Sequence, residues 1–121
     1  MKKVLNILKN EAKAIDLPYE FDNWQSNLKL PYFVGEITEI PTLDEDGKRE
    51  FDFTLTGEDV DTYSRLLEYS ETILKRYKHG HSVVFDGGVV KIIYDNTITV
   101  PVEDENVKRI QINITVYLWE G

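Results

Sequence analysis

The sequence TGEDVDTYSRLLEYSETILKRYKHG, residues 56–80, decides the fold that we expect for this chain. Mostly apolar residues recur in it at intervals of three and four, which places them on one face of a helix. These positions are Tyr63, Leu66, Leu67, Ser70, Ile73, Leu74 and Tyr77. Thr56 and Asp59 are spaced as a capping box, and Gly80 can adopt the left-handed conformation that ends a helix. The stretch therefore predicts one long helix over residues 57–79.

Strand patterns flank this helix on both sides. The clearest is VKRIQINITVYLW, which alternates apolar and polar residues and so predicts one buried and one wet face. Asp86-Gly87 marks a tight turn between two strands, while Gly35 marks a bulge or a close backbone approach. A long loop, 41–48, joins the first two strands into a hairpin that spans residues 32–56. The strand candidates are residues 32–40, 49–56, 82–85, 88–94 and 107–119.

The first thirty residues contain a second, shorter helical pattern. Its apolar stripe predicts a helix over residues 1–15, which Pro18 prevents from extending much further. Residues 16–31 are rich in aromatic side chains, which predicts a packed loop or, alternatively, a docking surface for another chain. Together these elements predict an α+β fold with a single domain over residues 1–121. It is a two-layer sandwich, in which a mainly antiparallel sheet of four to five strands packs against the long helix and the N-terminal helix.

Composition restricts the classes of function. A chain of 121 residues can bury a stable core without disulfide or metal cross-links. This chain has no cysteine for a disulfide or for thiol chemistry. Its net charge of −8 argues against sequence-specific binding of nucleic acid, because phosphate contacts require a basic face. No stretch approaches the roughly 20 apolar residues of a membrane span, so we expect no membrane association.

Candidate chemistry is sparse. His79 and His81 could bind a metal as a pair, but no third ligand can be placed beside them, and His79 fits better as a partner of the helix C-terminus. The acidic loop does not match a calcium-binding loop at either end. Glu36 and Asp95 are the carboxylates that could serve an acid or a metal site. We expect no enzyme activity, no cofactor and no metal.

Several pieces of the sequence, in one order, resemble the tail-completion or tail-terminator proteins of long-tailed phages and prophages of Gram-positive bacteria. The similarity covers most of residues 31–119. Its pieces are PYFVGE (31–36), the acidic loop with Asp46-Gly47, FTLTG (53–57), the helix that follows, VVKIIYDN (89–96) and KRIQINITVYLW (108–119).

The resemblance implies a virion structural protein that forms a homo-oligomeric ring, commonly a hexamer, on the head-proximal end of the tail tube. The ring ends tube polymerisation and allows joining to the head, so the implied partners are the tail tube protein and head–tail connector proteins. The resemblance also implies a location in the host cytoplasm during assembly and in the virion afterwards. A monomer before assembly is the alternative to a preformed ring. Candidate inter-subunit or ring-facing residues are Trp24, Tyr32, Phe33, Asp44, Glu45, Asp46, Glu103, Asp104 and Glu105.

Two other functions stay open at this point. One is a neck or head-closure protein of the phage connector, which differs from a tail terminator only in its position. The other belongs to a different class, a small metal-dependent phage nuclease that would use Glu36 and Asp95.

Overall fold

A computed structural model describes residues 1–22, 29–41 and 47–120. In these ranges two helices and six strands form, and the strands make one sheet in the order β1-β2-β3-β6-β5-β4. Only the β1–β2 pair is parallel, and every other pair is antiparallel. The elements are α1 (Lys2–Ala14), β1 (Tyr19–Phe21), β2 (Tyr32–Ile40), β3 (Lys48–Val60), α2 (Ser64–Tyr77), β4 (His81–Phe85), β5 (Gly88–Val100) and β6 (Val107–Glu120).

The core lies between the two helices and one face of the sheet. The alternation predicted for β6 is confirmed, because its apolar positions are all buried and belong to the same cluster as the buried residues of both helices. These positions are Ile110, Ile112, Ile114, Val116 and Leu118. From α2, Leu66, Ile73 and Tyr77 enter this core. The α+β class and the packing of helices on a mainly antiparallel sheet are therefore confirmed.

The long helix is shorter than predicted, and its predicted start was wrong. Residues 57–60 continue strand β3, where Gly57 pairs with Ile110 and Val60 with Val107. Pairing with the long strand β6 outweighs the local helix signal. Asp61, at φ 72°, then redirects the chain, and the hydroxyl of Thr62 accepts a hydrogen bond from Ser64 N at 3.2 Å. The capping box between Thr56 and Asp59 does not form.

The end of α2 follows the sequence prediction. Gly80 has φ 83° and donates its N–H to the carbonyl of Tyr77 at 3.0 Å, which closes the helix in the left-handed conformation. Lys75 and Arg76 lie in the last turn, where cations interact favourably with the helix dipole.

The sheet has six strands rather than four to five. The additional strand is β1, three residues inside the segment predicted to be a loop, which pairs with the start of β2. Strand β5 is also longer than predicted, because it continues past residue 94 to Val100. It does so through a register shift between Tyr94 and Asn96, a β-bulge that breaks the alternation on which the prediction depended.

Gly35 is a site of close backbone approach and not of a bulge. A Cβ placed there would lie 2.6 Å from Tyr19 Cε2 and 2.7 Å from Phe53 Cζ, so only glycine allows these two rings to meet over β2. The β2–β3 register runs without interruption through Gly35, which pairs with Leu55.

The sheet curls so that both of its edges approach α1. At one edge, the Lys3 ammonium lies 5.0 Å from the centre of the Phe85 ring in β4. At the other edge, Leu5 and Lys9 line a shallow groove with Tyr19 of β1. The first helix therefore occupies the gap between the two edge strands.

Candidate functional site

The side of the sheet that faces away from the helices is called the outer face here, and its central part is polar. Its side chains bond to one another across three strands. Thr54 donates to Asn113 Oδ1 at 3.3 Å, Gln111 donates to the same oxygen at 3.0 Å, and Asn113 donates to Asn96 Oδ1 at 2.7 Å. Neither helix covers this face. It is a hydrogen-bonded surface that spans β3, β6 and β5.

The two carboxylates that could serve a metal site, Glu36 and Asp95, both lie on the outer face. Glu36 pairs with Thr54 in register, and Asp95 at the bulge accepts a hydrogen bond from Thr115 at 2.6 Å. Three strand spacings separate β2 from β5, a distance of about 14 Å. The ions of a two-metal site lie about 4 Å apart, so a separation of about 14 Å between the strands disfavours a centre shared by these two carboxylates.

Two arginine–carboxylate pairs link neighbouring strands, one on each face of the sheet. Arg109 of β6 contacts Glu58, its directly opposite partner on β3. On the inner face, toward the other end of the strands, Arg49 binds Glu39 with two bonds of 2.8 Å. Hydrogen bonding from the Arg49 guanidinium lowers the pKa of the Glu39 carboxyl below its ordinary value. Of these two pairs, Arg109–Glu58 is the one that compensates charge on the outer face, where Glu36 and Asp52 also lie.

One corner of the outer face is apolar. Val84, Val89 and Trp119 occupy one row across β4, β5 and β6. Val84 is 80% exposed, more than any other large apolar side chain in the described ranges, whereas Val89 and Trp119 are half-buried. Tyr117 lies beside Trp119, with ring centres 5.9 Å apart. This row is called the β4 edge patch; Ile98 of β5, 47% exposed, is a separate apolar side chain on the outer face.

A network around Glu11 ties α1 to α2 and to β4. Arg76 donates to both carboxylate oxygens of Glu11 at 2.9 and 3.2 Å, and Tyr77 donates its hydroxyl at 2.7 Å. His81 Nε2 lies 3.4 Å from the same carboxylate. Burial alone raises the pKa of Glu11, but the bonds from Arg76 and Tyr77 outweigh it, so the pKa lies below its ordinary value. Burial and the hydrogen bond to Glu11 raise the pKa of Tyr77.

An apolar cavity of about 20 Å³ lies under this network, and Glu11 and the ring of Tyr77 contribute to its wall. A cavity of this size accommodates about one water molecule and no organic substrate. Burial, with a smaller contribution from the charge of Glu20, raises the pKa of Tyr19, which also lines the cavity, to about 12. The perturbed groups here stabilise the packing of α1 on the sheet.

The histidines lie at the α2–β4 junction. His79 is exposed just after the helix, and His81 begins β4 with its ring 5.8 Å from that of Tyr77. In the described ranges, no three side chains of histidine, aspartate or glutamate converge to hold a metal ion.

The sequence-predicted assembly residues fall into three groups. Tyr32 and Phe33 are buried at the start of β2, at 9% and 0% exposure; Phe33 belongs to the core cluster, whereas Tyr32 is opposite Glu58 on the outer face. The acidic residues that lie exposed in the connection from β5 to β6 are Glu103, Asp104 and Glu105. The others lie outside the described residues: Trp24, Asp44, Glu45 and Asp46.

Sequence reasoning missed the β4 edge patch. The valine pair Val83-Val84 predicts a strand, but either residue could face the core. Only the register with Val90 and Val89 shows that Val83 points inward and Val84 outward. Trp119 was the sequence feature that indicated this patch, because it is a large apolar residue at a solvent-facing position in the alternation of β6.

A scan against protein-family models and a search of curated proteins both find no match to this chain. Neither α1 nor α2 has the length and hydropathy needed to span a membrane, in the part of the chain that the structure describes.

Proposed function

We propose that this chain is a structural subunit of a phage tail-completion ring. It would cap the tail tube at its head-proximal end, stop tube polymerisation and present a surface to the head connector. The observation that carries the proposal is the exposed β4 edge patch on a sheet whose outer face is uncovered, because such a surface is suited to contact with other subunits.

The segments that resemble tail-completion proteins support this proposal through their position. PYFVGE, FTLTG, VVKIIYDN and KRIQINITVYLW lie in β2, β3, β5 and β6, respectively. These four strands are contiguous in the sheet. The resemblance therefore concerns one structural unit and not scattered fragments.

Charge is consistent with a ring through which DNA passes. A net charge of −8 disfavours tight binding of phosphates. The exposed residues Glu103–Glu105 and the loop 41–48 would face the channel or the adjoining ring. A variant with Asp44, Glu45 and Asp46 changed to serine should then reduce assembly of infectious particles, and unchanged assembly would refute the role of that loop.

The test of the proposal is to disrupt the gene in the phage or prophage that carries it and to examine the particles by electron microscopy. We expect filled heads separate from tails, with tubes of irregular and excessive length. Tails of normal length that remain unattached to heads would instead favour the neck or head-closure function. Normal joined virions would refute both. In disrupted lysates supplied with tagged chain, a tail terminator should copurify with tails, whereas a neck protein should copurify with filled heads.

The nuclease alternative has a direct biochemical test. The purified chain is incubated with DNA and magnesium or manganese, in parallel with Glu36→Ala and Asp95→Ala. Since about 14 Å separates these two strands, we expect no cleavage that depends on both residues. Metal-dependent cleavage that either substitution abolishes would establish the nuclease instead.

A further inference from the structure

Strand β1, at the edge of the sheet, leaves backbone groups open for pairing. The carbonyl of Pro18 accepts a hydrogen bond from β2 at 2.8 Å, and Asp22 N donates one to β2 at 2.9 Å. Successive residues of a strand direct their backbone groups to opposite sides, so Glu20 also bonds to β2. The N–H and C=O groups of Tyr19 and Phe21 therefore point away from β2, where no strand of the described ranges pairs with β1.

A groove of about 230 Å³ runs beside these open groups, between β1 and α1. Its strand wall includes Phe21, which is 38% exposed, and its helix wall includes Leu5 and Lys9. The groove is smaller than the roughly 300–1,000 Å³ of sites for small organic ligands. An extended segment that pairs with β1 would instead direct every second side chain into it. The shape therefore fits an added strand.

The helix wall of the groove is basic. Lys2 and Lys13 lie two turns before and one turn after Lys9, on the same face of α1. All three lysines are exposed, and none forms an ion pair with a described residue. They extend over about 17 Å of helix, the length of about five residues in a strand. A segment of that length would meet positive charge along its groove side.

The carboxylate of β1 lies on the other side of the strand. Glu20 is exposed and pairs with Val34, in the row that continues to Gln111 on the outer face. Asp16 and Asp22, also exposed, lie beyond the two ends of β1. The two sides of an added strand would therefore face charges of opposite sign, lysine in the groove and Glu20 on the outer face.

We propose that β1 binds an extended segment of a partner protein as an added strand, with acidic or apolar side chains in the groove and lysine or arginine on the outer face. A strand of three residues offers few backbone bonds, so it resists unselective pairing and the alternating charge provides the specificity. The inference goes beyond the proposed function and does not depend on it, because the contact involves neither the β4 edge patch nor the acidic connection from β5 to β6.

The test is a titration of the isotope-labelled chain with a capped heptapeptide in which lysine alternates with valine and glutamate, followed by NMR. The amide signals of Tyr19 and Phe21 should shift and become protected from exchange with solvent. The amide of Glu20, already bonded to β2, should change less. Two further peptides carry N-methyl groups at alternate residues, and only the one whose methyl groups face β1 should lose binding.

Charge variants test the groove. Lys9→Glu should weaken binding of the heptapeptide about fivefold, because it replaces an exposed ion pair with repulsion, and a peptide with lysine in place of glutamate should recover part of the loss. Glu20→Lys should also weaken binding, since the lysines of the peptide lie beside it. Lys3→Glu is the matched control. It changes the net charge equally on the same helix but lies over Phe85 at the other edge, so the peptide should bind it as it binds the wild type.

Several outcomes would overturn the proposal. They are equal shifts of the Tyr19 and Glu20 amides, equal binding of the two N-methylated peptides, and equal losses for Lys9→Glu and Lys3→Glu. A Kd above about 1 mM for the wild type would have the same meaning. If the Tyr19 and Phe21 signals shift with protein concentration in the absence of peptide, the occupant is a second copy of this chain, and a partner segment is rejected.

Discussion

The charge pair at the junction of β3 and α2 allows a quantitative test of how the fold is held together. Asp59 is fully buried on the core side of β3 and accepts bonds from Arg65 at 2.8 and 2.6 Å and from Val60 N at 2.9 Å. The side chain of Arg65 is 53% exposed. We predict that replacing the exposed partner with alanine destabilises the protein more than replacing the buried one.

The asymmetry follows from what each substitution leaves behind. Arg65→Ala leaves a buried carboxylate without its counter-ion, which costs 3–5 kcal/mol in buried pairs; solvent near the guanidinium reduces this to about 3 kcal/mol here. Asp59→Ala leaves an arginine that water can hydrate. The free energy of unfolding should therefore fall by only about 1 kcal/mol, for the lost hydrogen bond to Val60 N. At roughly 4 °C per kcal/mol, the melting temperature should fall by about 12 °C and about 4 °C, respectively.

The assay is thermal unfolding monitored by circular dichroism, repeated in urea. Arg49→Ala is the matched control, because Arg49 makes the same two-bond contact with Glu39 at an exposed site and its removal should change stability little. The double variant Asp59→Ala/Arg65→Ala should be more stable than Arg65→Ala alone. Equal losses from the two single substitutions, or a larger loss for Asp59→Ala, would refute the reasoning.

Three further predictions concern the core and its titrating groups. Gly57→Ala places a Cβ 2.4 Å from the ring of fully buried Phe33 and should cost about 1–3 kcal/mol in urea unfolding; an unchanged midpoint would contradict the close packing. The pKa of Glu11 is lowered in the fold, so its stabilisation is present above pH 4.5 and is lost as pH falls below that value. Melting temperatures of Glu11→Gln and wild type should therefore differ most at neutral pH and converge in acid. Because the pKa of Tyr19 rises to about 12, stability should fall from pH 10 to 12, and Tyr19→Phe should remove part of this fall.

Helices and strands in which apolar residues recur at a regular interval could be predicted from the sequence, because burial of one face of the element imposes that interval. Strand β6 was confirmed from its alternation, and β2 was confirmed over Tyr32–Ile40. The start of α2 could not be found in this way. Asp59 occupies a core-facing strand position, and the partner that makes this tolerable, Arg65, lies six residues away beyond a turn. No local pattern distinguishes this arrangement from a helix that begins with acidic residues.

The candidate contact surface was less predictable than the fold. Its orientation depends on pairing between strands that are distant in sequence, such as Val89 of β5 with Trp119 of β6. Aromatic content indicated Tyr32 and Phe33 as contact residues, but both side chains are buried within the chain, Phe33 in the core and Tyr32 on the outer face. Apolar residues serve folding and assembly equally well, so composition cannot assign them to one or the other.

Two charged networks explain why the assembly contacts that we propose should involve the outer face of the sheet and not the helical layer. Asp59 and Arg65 link α2 to β3, while Glu11 links α1 to α2 through Arg76 and Tyr77. Separating a helix from the sheet would break these pairs and expose the apolar core beneath. The helical layer is therefore committed to the inner face of the sheet. A partner can bind at low cost only where the sheet is already uncovered, and the outer side of β4, with exposed Val84, meets this condition.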